Sequence, residues 1–441
     1  MTAVADNERL LRLTTLTQAT AEARSAGEHD RAHALASQGA DLVDRLEPHE
    51  RARIARALPR MMLEWAWAMR GTYDFTRERA LLDHAYAWAI ASDDFAMAAR
   101  VAGQLAWDNA FTGRRAIAEE WSDRAEALWK EAGRAGLPVI AHASLALLRA
   151  ASLDFTGALA TLDEARASAE ANPDGAPVRE TGFAIAALRM QWEAQADPSR
   201  LGRLCAELAT LRAAARAAPP LTRLTMSVTL ARLHLFAAQP EHALALLADK
   251  EGLRTCRPLL QVHRAMAHLM LHDYIAADAD ASEAPEGISS WPRCQAEMRI
   301  LRAAARLALG DPDAAALSFR EGVAIAGAHE LPVALTVVPS ADLGRLATLA
   351  FGDAPPVIVR GAIAAAALAP ARDPGTARLT DREERLMRTL VEHPGLSVKE
   401  IADVLGVSRN TVKSQLSALF RKTGVTNRVQ LVRLARARLS G

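Results

Sequence analysis

The chain has 441 residues, a hydrophobic fraction of 50%, a charged fraction of 24% and a formal net charge of +1. This balance is that of a globular protein with several domains or one elongated repeat array, and no stretch approaches the roughly 20 apolar residues of a membrane span. Three widely separated cysteines exclude a disulfide framework, and the start of the chain lacks the pattern of a signal peptide, so we expect a cytoplasmic protein.

The segment from the start to about residue 350 is rich in alanine, leucine and arginine, which all favour helices. Short polar breaks recur roughly every 35 to 45 residues, which is the period of helical-hairpin repeats. The breaks lie at 27–32, 70–80, 111–116, 153–158, 195–200, 237–243, 271–276 and 309–315. Each break separates two amphipathic segments of helix length, without an alternating strand pattern. We therefore predict an all-α fold in which residues 1–350 form an α-solenoid of about eight helix pairs.

The last of these breaks illustrates the expected hairpin. Leu309 and Gly310 end one helix, Asp311 and Pro312 begin the next, and Pro332 closes it. With small residues where paired helices would touch, the stretch resembles a degenerate tetratricopeptide repeat. That resemblance implies a sensor or interaction role for the array.

The aromatic residues are concentrated in one part of this array, since 11 of the 20 lie between Trp65 and Trp129. One interpretation is that they fill the cores of helical hairpins, and the other is that they line a pocket for an apolar or aromatic inducer. Trp65 and Trp67 cannot face the same way on a helix, so at least one of them is a candidate to point out of the local core. The candidate pocket residues are Trp65, Trp67, Tyr86, Trp88, Trp107, Phe111 and Trp121.

The other chemically active side chains form no strong pattern. His268 and His272 are four residues apart on a predicted helix, but without a third clear ligand they do not predict a metal centre. Acidic residues are scattered along the predicted helix faces, which indicates a solvated surface. No nucleophile elbow and no cysteine–histidine pair at catalytic spacing is present, so we predict no enzymatic activity.

The end of the chain is organised differently. A further helix is predicted at 357–368 within the segment 351–377, and Pro370, Pro374 and Gly375 then mark a short linker. The last domain follows at 378–441.

Residues 397–424 in this domain predict two helices joined by a tight turn. Ser397 with Glu400 forms a capping-box pattern. Gly406 ends the first helix and Ser408 caps the second. The second helix has one apolar face, formed by Val412, Leu416, Leu419 and Phe420. Its opposite face is polar and basic, which is typical of a helix-turn-helix whose second helix enters a DNA major groove.

Charge supports this interpretation. Residues 376–441 carry 13 Lys and Arg against 6 Asp and Glu, a net charge of 13 − 6 = +7, so the remainder carries 1 − 7 = −6. A basic module on an acidic body is the electrostatic pattern of phosphate binding at one end.

The run LTDREERLMRTLVEHPGLSVKEIADVLGVSRNTVKSQLSALFRKTGVTNRVQLVRLA at 379–435 resembles the LuxR-type DNA-binding domain. The resemblance implies a four-helix domain, transcription regulation and dimer contacts through a closing helix at about 428–439. It places Lys399, Ser408, Arg409, Asn410, Thr411, Lys413, Arg421 and Lys422 at DNA-facing positions. The chemistry of the side chains makes Asn410, Lys413, Ser414 and Ser417 the candidates for base edges.

Other regulator architectures are disfavoured. The chain has only five lysines and none follows a glycine, so it has no phosphate-binding loop of the Walker type and we predict no nucleotide cofactor. The helical body also does not suit a response-regulator receiver or an acyl-homoserine-lactone sensor. It resembles the helical-repeat sensor part of MalT-like regulators without their ATPase.

The leading hypothesis is therefore a transcription regulator, more specifically an activator, that forms a homodimer on double-stranded DNA. RNA polymerase is a further expected partner, and a small molecule or a protein bound to the repeats would control DNA binding. The alternative is a protein-binding scaffold in which DNA binding is constitutive or secondary.

Overall fold

The computed structural model describes residues 2–171, 179–248, 256–282, 291–368 and 381–409, together with 411–413, 415, 416, 419, 428, 431, 432, 435 and 436. Every regular element in this part of the chain is a helix, as the sequence predicts. The first half contains α1 (Thr2–Ala26), α2 (His29–Asp44), α3 (Pro48–Arg53), α4 (Leu58–Gly71), α5 (Phe75–Ala91), α6 (Phe95–Thr112), α7 (Arg115–Glu131), α8 (Val139–Ala151) and α9 (Phe155–Ala171). The second half contains α10 (Arg179–Ala196), α11 (Leu201–Ala214), α12 (Pro220–Phe236), α13 (Pro240–Leu247), α14 (Arg257–Met270), α15 (Tyr274–Ser282), α16 (Pro292–Ala308), α17 (Pro312–Ala328), α18 (Ser340–Phe351) and α19 (Val357–Leu368). The final part begins with α20 (Asp381–Glu392) and α21 (Val398–Leu405).

All eight predicted breaks coincide with turns between consecutive helices, and the helices pack mainly as adjacent pairs. The array of helical hairpins is therefore confirmed. No described helix combines the length and the apolar character that spanning a bilayer requires.

One local geometry recurs at these turns. The residue just before the N-cap of the second helix adopts the left-handed conformation. The backbone amide of the N-cap residue then donates to the carbonyl oxygen five residues earlier, as in a Schellman motif. In the α4–α5 turn Tyr73 has a φ of 68° and the Asp74 amide donates to the Met69 carbonyl oxygen over 3.0 Å. The other turns of this kind place Gly27, Asp93, Gly113, Leu153, Ala238, His272 and Gly310 in the left-handed conformation.

In most of the turns whose left-handed residue is not glycine, an aspartate at the following position offsets the strain. A left-handed non-glycine residue costs roughly 1–2 kcal/mol, and an aspartate at the helix start contributes about 1 kcal/mol. The Asp74 carboxylate accepts from the Arg77 amide at 3.2 Å, and Asp311 accepts from the Ala314 amide at 3.1 Å. The turn therefore tolerates residues other than glycine, which is why a glycine count alone underestimates the repeats.

Small residues allow the paired helices to approach closely. At Gly39 in α2, an added Cβ atom would lie 2.5 Å from Cζ2 of Trp65, whose side chain is fully buried in α4. At Gly322 in α17, an added Cβ atom would lie 2.8 Å from Cγ1 of Ile300. The sequence expectation of small residues at hairpin contacts therefore holds at these positions.

The array also packs against itself across its inner side. Phe75 and Phe111 each lie 6.0 Å from Trp291 between ring centroids, at edge-to-face angles of 64° and 80°. Gly71 at the end of α4 packs on Pro219, where an added Cβ atom would lie 3.1 Å from the proline Cβ. These contacts join the first half of the repeats to the second half, so the solenoid curls until non-neighbouring hairpins meet.

The helix predicted at 357–368 is present as α19, and Val359 and Ala362 are buried in the core shared by the last hairpins of the body. The linker residues Pro370, Pro374 and Gly375 lie outside the described residues.

Candidate ligand pocket and nucleic-acid interface

The structure separates the seven candidate pocket aromatics into two groups. Trp67, Trp107 and Phe111 line one interior pocket, where helices of the first half face α10 and α12. Trp65 instead fills the core between α2 and α4. Tyr86 and Trp121 pack edge to face at 5.0 Å between ring centroids, and Trp88 packs against the core of the first hairpins.

Polar groups of this pocket come from four helices. Arg24 of α1 and Arg70 of α4 line it on one side, and Thr181 of α10 and Thr222 of α12 line it on the other. The Arg24 guanidinium lies 5.4 Å from the centroid of the Trp67 ring and is paired with Glu64 at 2.7 Å. The sequence did not predict these polar residues as pocket residues, because they lie on distant helices that meet only when the array curls.

Behind Arg70 lies a buried charge cluster. Arg70 Nη1 donates to Glu78 Oε1 at 3.1 Å and also to Asp108 Oδ1. Asp108 accepts a second bond from Gln104 Nε2 at 3.0 Å, and Gln104 Oε1 accepts from the Trp67 indole at 3.4 Å. Glu78 is only 3% exposed, so the expectation that acidic residues lie on a solvated surface is wrong here. Glu78 and Asp108 face the inside of the array because α5 and α6 pack against α4.

Burial raises the proton affinity of both carboxylates, although they share one guanidinium. Burial raises the pKa of Glu78 to about 8, the charge of Asp108 acts in the same direction, and Arg70 opposes both. Burial also raises the pKa of Asp108. We expect Glu78 to hold the shared proton at neutral pH, which leaves the cluster without net charge.

We therefore predict that Glu78→Gln flattens the pH dependence of stability. Wild-type Glu78 has a folded pKa of about 8 against an ordinary value of 4.5, so the folded state holds a proton that the unfolded state has lost. The thermal midpoint of the wild type should then fall as pH rises through this window. Glutamine imitates the protonated carboxyl and removes this loss. The check is the difference in midpoint between the two proteins at several pH values, and a constant difference would contradict the assignment.

A second buried cluster lies between α12, α14 and α16, and the sequence pattern also missed it. Glu297 is 2% exposed and contacts Arg293 at 3.1 Å and Arg232 at 3.7 Å. Burial acts to raise the pKa of Glu297, but the two arginines outweigh it and hold the pKa below its ordinary value. Burial, aided by Arg232, lowers the pKa of the nearby His263 to about 4. The cluster adds buried ion pairs to the apolar core that these helices share.

In the C-terminal part, the predicted helix-turn-helix caps are present. The Ser397 side chain accepts from the Glu400 amide at 3.4 Å, and Glu400 Oε2 accepts from the Ser397 amide at 2.7 Å, which completes the capping box. Hydrogen bonds from the backbone and the side chain of Ser397 to the carboxylate hold the pKa of Glu400 below its ordinary value. Gly406 ends α21 with a φ of 65° and a ψ of 34°, in the left-handed region. Ser408 Oγ then accepts from the Thr411 amide at 3.1 Å and starts the next helix.

This next helix, named here the recognition helix, includes the helical residues 409, 411–413, 415, 416 and 419. Val412, Leu416 and Leu419 are buried against α20, α21 and the closing helix, which is described at 428, 431, 432, 435 and 436. The shared core also contains Leu386, Met387, Leu390, Ile401, Ala402, Leu431, Val432 and Ala435. Arg428 of the closing helix donates to the carbonyl oxygens of Leu396 and His393 and so ties this helix to the turn after α20.

The opposite side of the recognition helix is exposed and basic. Lys399, Arg409 and Lys413 are exposed, and none of them is paired with a carboxylate among the described residues. Ser408 is exposed and Thr411 is half-buried, with their hydroxyl oxygens 2.8 Å apart at the start of the helix. The other predicted contacts, Asn410, Ser414, Ser417, Arg421 and Lys422, lie outside the described residues.

A capped pair of helices with free cations on one face of the second defines a helix-turn-helix DNA-binding module. Residues 377–435 match the family described as GerE, bacterial regulatory proteins, luxR family. The C-terminal part of this chain is therefore a LuxR-family helix-turn-helix domain, preceded by a helical-repeat region. No curated protein matches the chain.

Proposed function

We propose that this protein is a sequence-specific transcription activator that acts in the cytoplasm as a homodimer and contacts RNA polymerase. The LuxR-family domain makes it a DNA-binding regulator in the broad sense. The observation that supports sequence-specific contact is the exposed face of the recognition helix, where Arg409 and Lys413 have no acidic partner among the described residues. Cations in this position neutralise phosphates and reach the acceptor groups of guanine.

The second part of the proposal is that the helical repeats control this activity by binding a small molecule or a partner protein. A ligand shifts the regulator only if it binds one state more tightly than the other. The edge-to-face contacts of Phe75 and Phe111 with Trp291 occupy the inner side of the array. A peptide groove of the tetratricopeptide type requires that space to be open, so these contacts favour a small molecule.

The test begins with selection of binding sites from random duplex DNA by the full chain. We expect enriched sites that bind at least about 1000-fold more tightly than random competitor, which is the lower end of the range for specific regulators. Transcription with purified RNA polymerase from a template that carries an enriched site should then increase when the protein is added. If no sequence is enriched, the proposal of specific recognition fails, and a decrease in transcript would make the protein a repressor.

A further inference from the structure

The interior pocket behind Trp67 contains hydrogen-bond donors that the protein itself leaves unused. Nη1 of Arg70 donates hydrogen bonds to Glu78 and Asp108. The remaining N–H groups of Arg70 have no hydrogen-bond partner among the described residues. The same holds for the indole N–H of Trp107 and for the hydroxyl of Thr222, although these residues are only 3% and 8% exposed. All three residues line the pocket. Donors of the lining that the protein does not use are available to an acceptor that enters the pocket.

The groups that face the pocket favour an anion, although Arg24 and Arg70 are each balanced by carboxylates outside the lining. Two arginines line the pocket, and no carboxylate group lines it in the described part of the chain. Glu78 and Asp108 both bind Nη1 of the Arg70 guanidinium, which leaves Nη2 and Nε for a ligand. A cationic ligand is disfavoured because the guanidinium of Arg24 already lies against the Trp67 ring. A carboxylate suits an arginine edge, since it accepts two parallel hydrogen bonds.

The rest of the lining is apolar and flat. The rings of Trp107 and Phe111 stack at 6.4 Å between centroids with an angle of 25° between their planes, and Leu221 and Ala184 add aliphatic surface. The cavity volume is about 50 Å³, which is space for roughly three to five water molecules. A ligand of this size has one ring or a short branched acyl chain.

We propose that this pocket binds a small organic monocarboxylate, with its carboxylate on the free edge of Arg70 and its apolar body beside Trp107 and Phe111. The inference rests on the proposed function in one respect, since the ligand would be the signal that the repeats detect. Helices α1, α4 and α6 of the first half and α10 and α12 of the second half meet at the pocket. A bound ligand therefore contacts both halves of the curled array and stabilises the curled state by mass action.

The test uses benzoate as the probe and benzamide, which has the same shape without the charge, as the comparison. The full chain is titrated without DNA at neutral pH, and binding is followed by tryptophan fluorescence and by the thermal midpoint. We expect benzoate to give a saturable signal and to bind at least ten-fold more tightly than benzamide. Equal binding of the two compounds would overturn the proposal, as would the absence of a saturable signal for benzoate up to about 10 mM, beyond the weak limit of a specific site.

A matched pair of variants locates the binding. Ala184→Phe fills the pocket from α10, whereas Ala196→Phe places the same side chain at the exposed end of the same helix. We expect the first variant to lose benzoate binding and the second to keep it. Benzoate binding by Ala184→Phe with wild-type affinity would place the ligand elsewhere. The comparison of benzoate with benzamide needs no variant, so it stands even if Ala184→Phe does not fold.

These measurements also separate the two proposals. Benzoate binding is measured without DNA, and selection of DNA sites is done without benzoate. A protein that binds benzoate but enriches no DNA sequence contradicts only the proposed DNA recognition, and the reverse result contradicts only the pocket ligand.

Discussion

Replacement of both Arg409 and Lys413 by alanine is expected to lower the affinity for an enriched DNA site by about 100-fold, since each contact with a base or phosphate contributes roughly 1–3 kcal/mol. Both side chains are exposed on the recognition helix, and no described carboxylate competes for them. The buried Val412 between them keeps the helix packed on its domain, so the substitutions should leave the fold intact. Binding to the enriched site is measured by fluorescence anisotropy at several salt concentrations.

The salt series distinguishes two roles for these cations. A side chain that contacts phosphate releases counterions, so its loss makes the slope of log affinity against log salt shallower by about one. A side chain that reads a base changes the preferred sequence more than the slope. We expect one contribution of each kind. Arg409, at the start of the helix, should contact a phosphate, and Lys413, one turn further along, should contact a guanine base.

The matched control is Arg388→Ala on α20. Arg388 is exposed in the same domain and lies 3.6 Å from Glu384, so its removal changes the net charge by one without touching the recognition helix. We expect its effect on affinity to be small. If the double variant loses no more affinity than twice the loss for Arg388→Ala, the recognition helix contributes only net charge and the assigned DNA-facing surface is wrong.

Replacement of Arg70 by methionine is expected to destabilise the helical repeats by about 3–5 kcal/mol, the usual cost of breaking a buried ion cluster from one side. The buried Glu78 and the partly buried Asp108 would remain without their shared cation, whose side chain is 17% exposed in the wild type. Methionine keeps the length and the apolar stem, so little of the loss comes from packing. The measurement is urea or thermal unfolding followed by helical circular dichroism.

Arg79→Met is the matched control for this effect. Arg79 also pairs with an aspartate, Asp83, at 2.9 Å, but both side chains are nearly half exposed. Such pairs contribute about 0–1 kcal/mol. The deficit of Arg70→Met should shrink at acidic pH, because protonation removes the remaining charge of Asp108. Similar midpoints for the two variants at neutral pH would show that the cluster is solvated.

Local patterns in the sequence predicted most of the secondary structure. The hairpin turns and the caps depend on residues three to five positions apart, and this range is visible in the order of the amino acids. Asp311 before Pro312, and Ser397 with Glu400, each formed the predicted cap. The turn at Tyr73 has the same geometry as the turn at Gly310, although its left-handed residue is not a glycine. A sequence search for an aspartate after the left-handed position therefore finds repeats that a search for glycine misses.

The sequence thus determined the helical hairpins, the capped helix-turn-helix and the basic face of its second helix, because short-range hydrogen bonds and the helical period fix these features. Only the tertiary structure decided which aromatics share the pocket with Arg70, and that Glu78 and Asp108 meet at its guanidinium. It also brought Trp291 against Phe75 and Phe111, which lie far earlier in the chain. The physical reason is that the small rotation from each hairpin to the next accumulates along the array. Contacts between distant hairpins depend on that sum, which no local pattern contains.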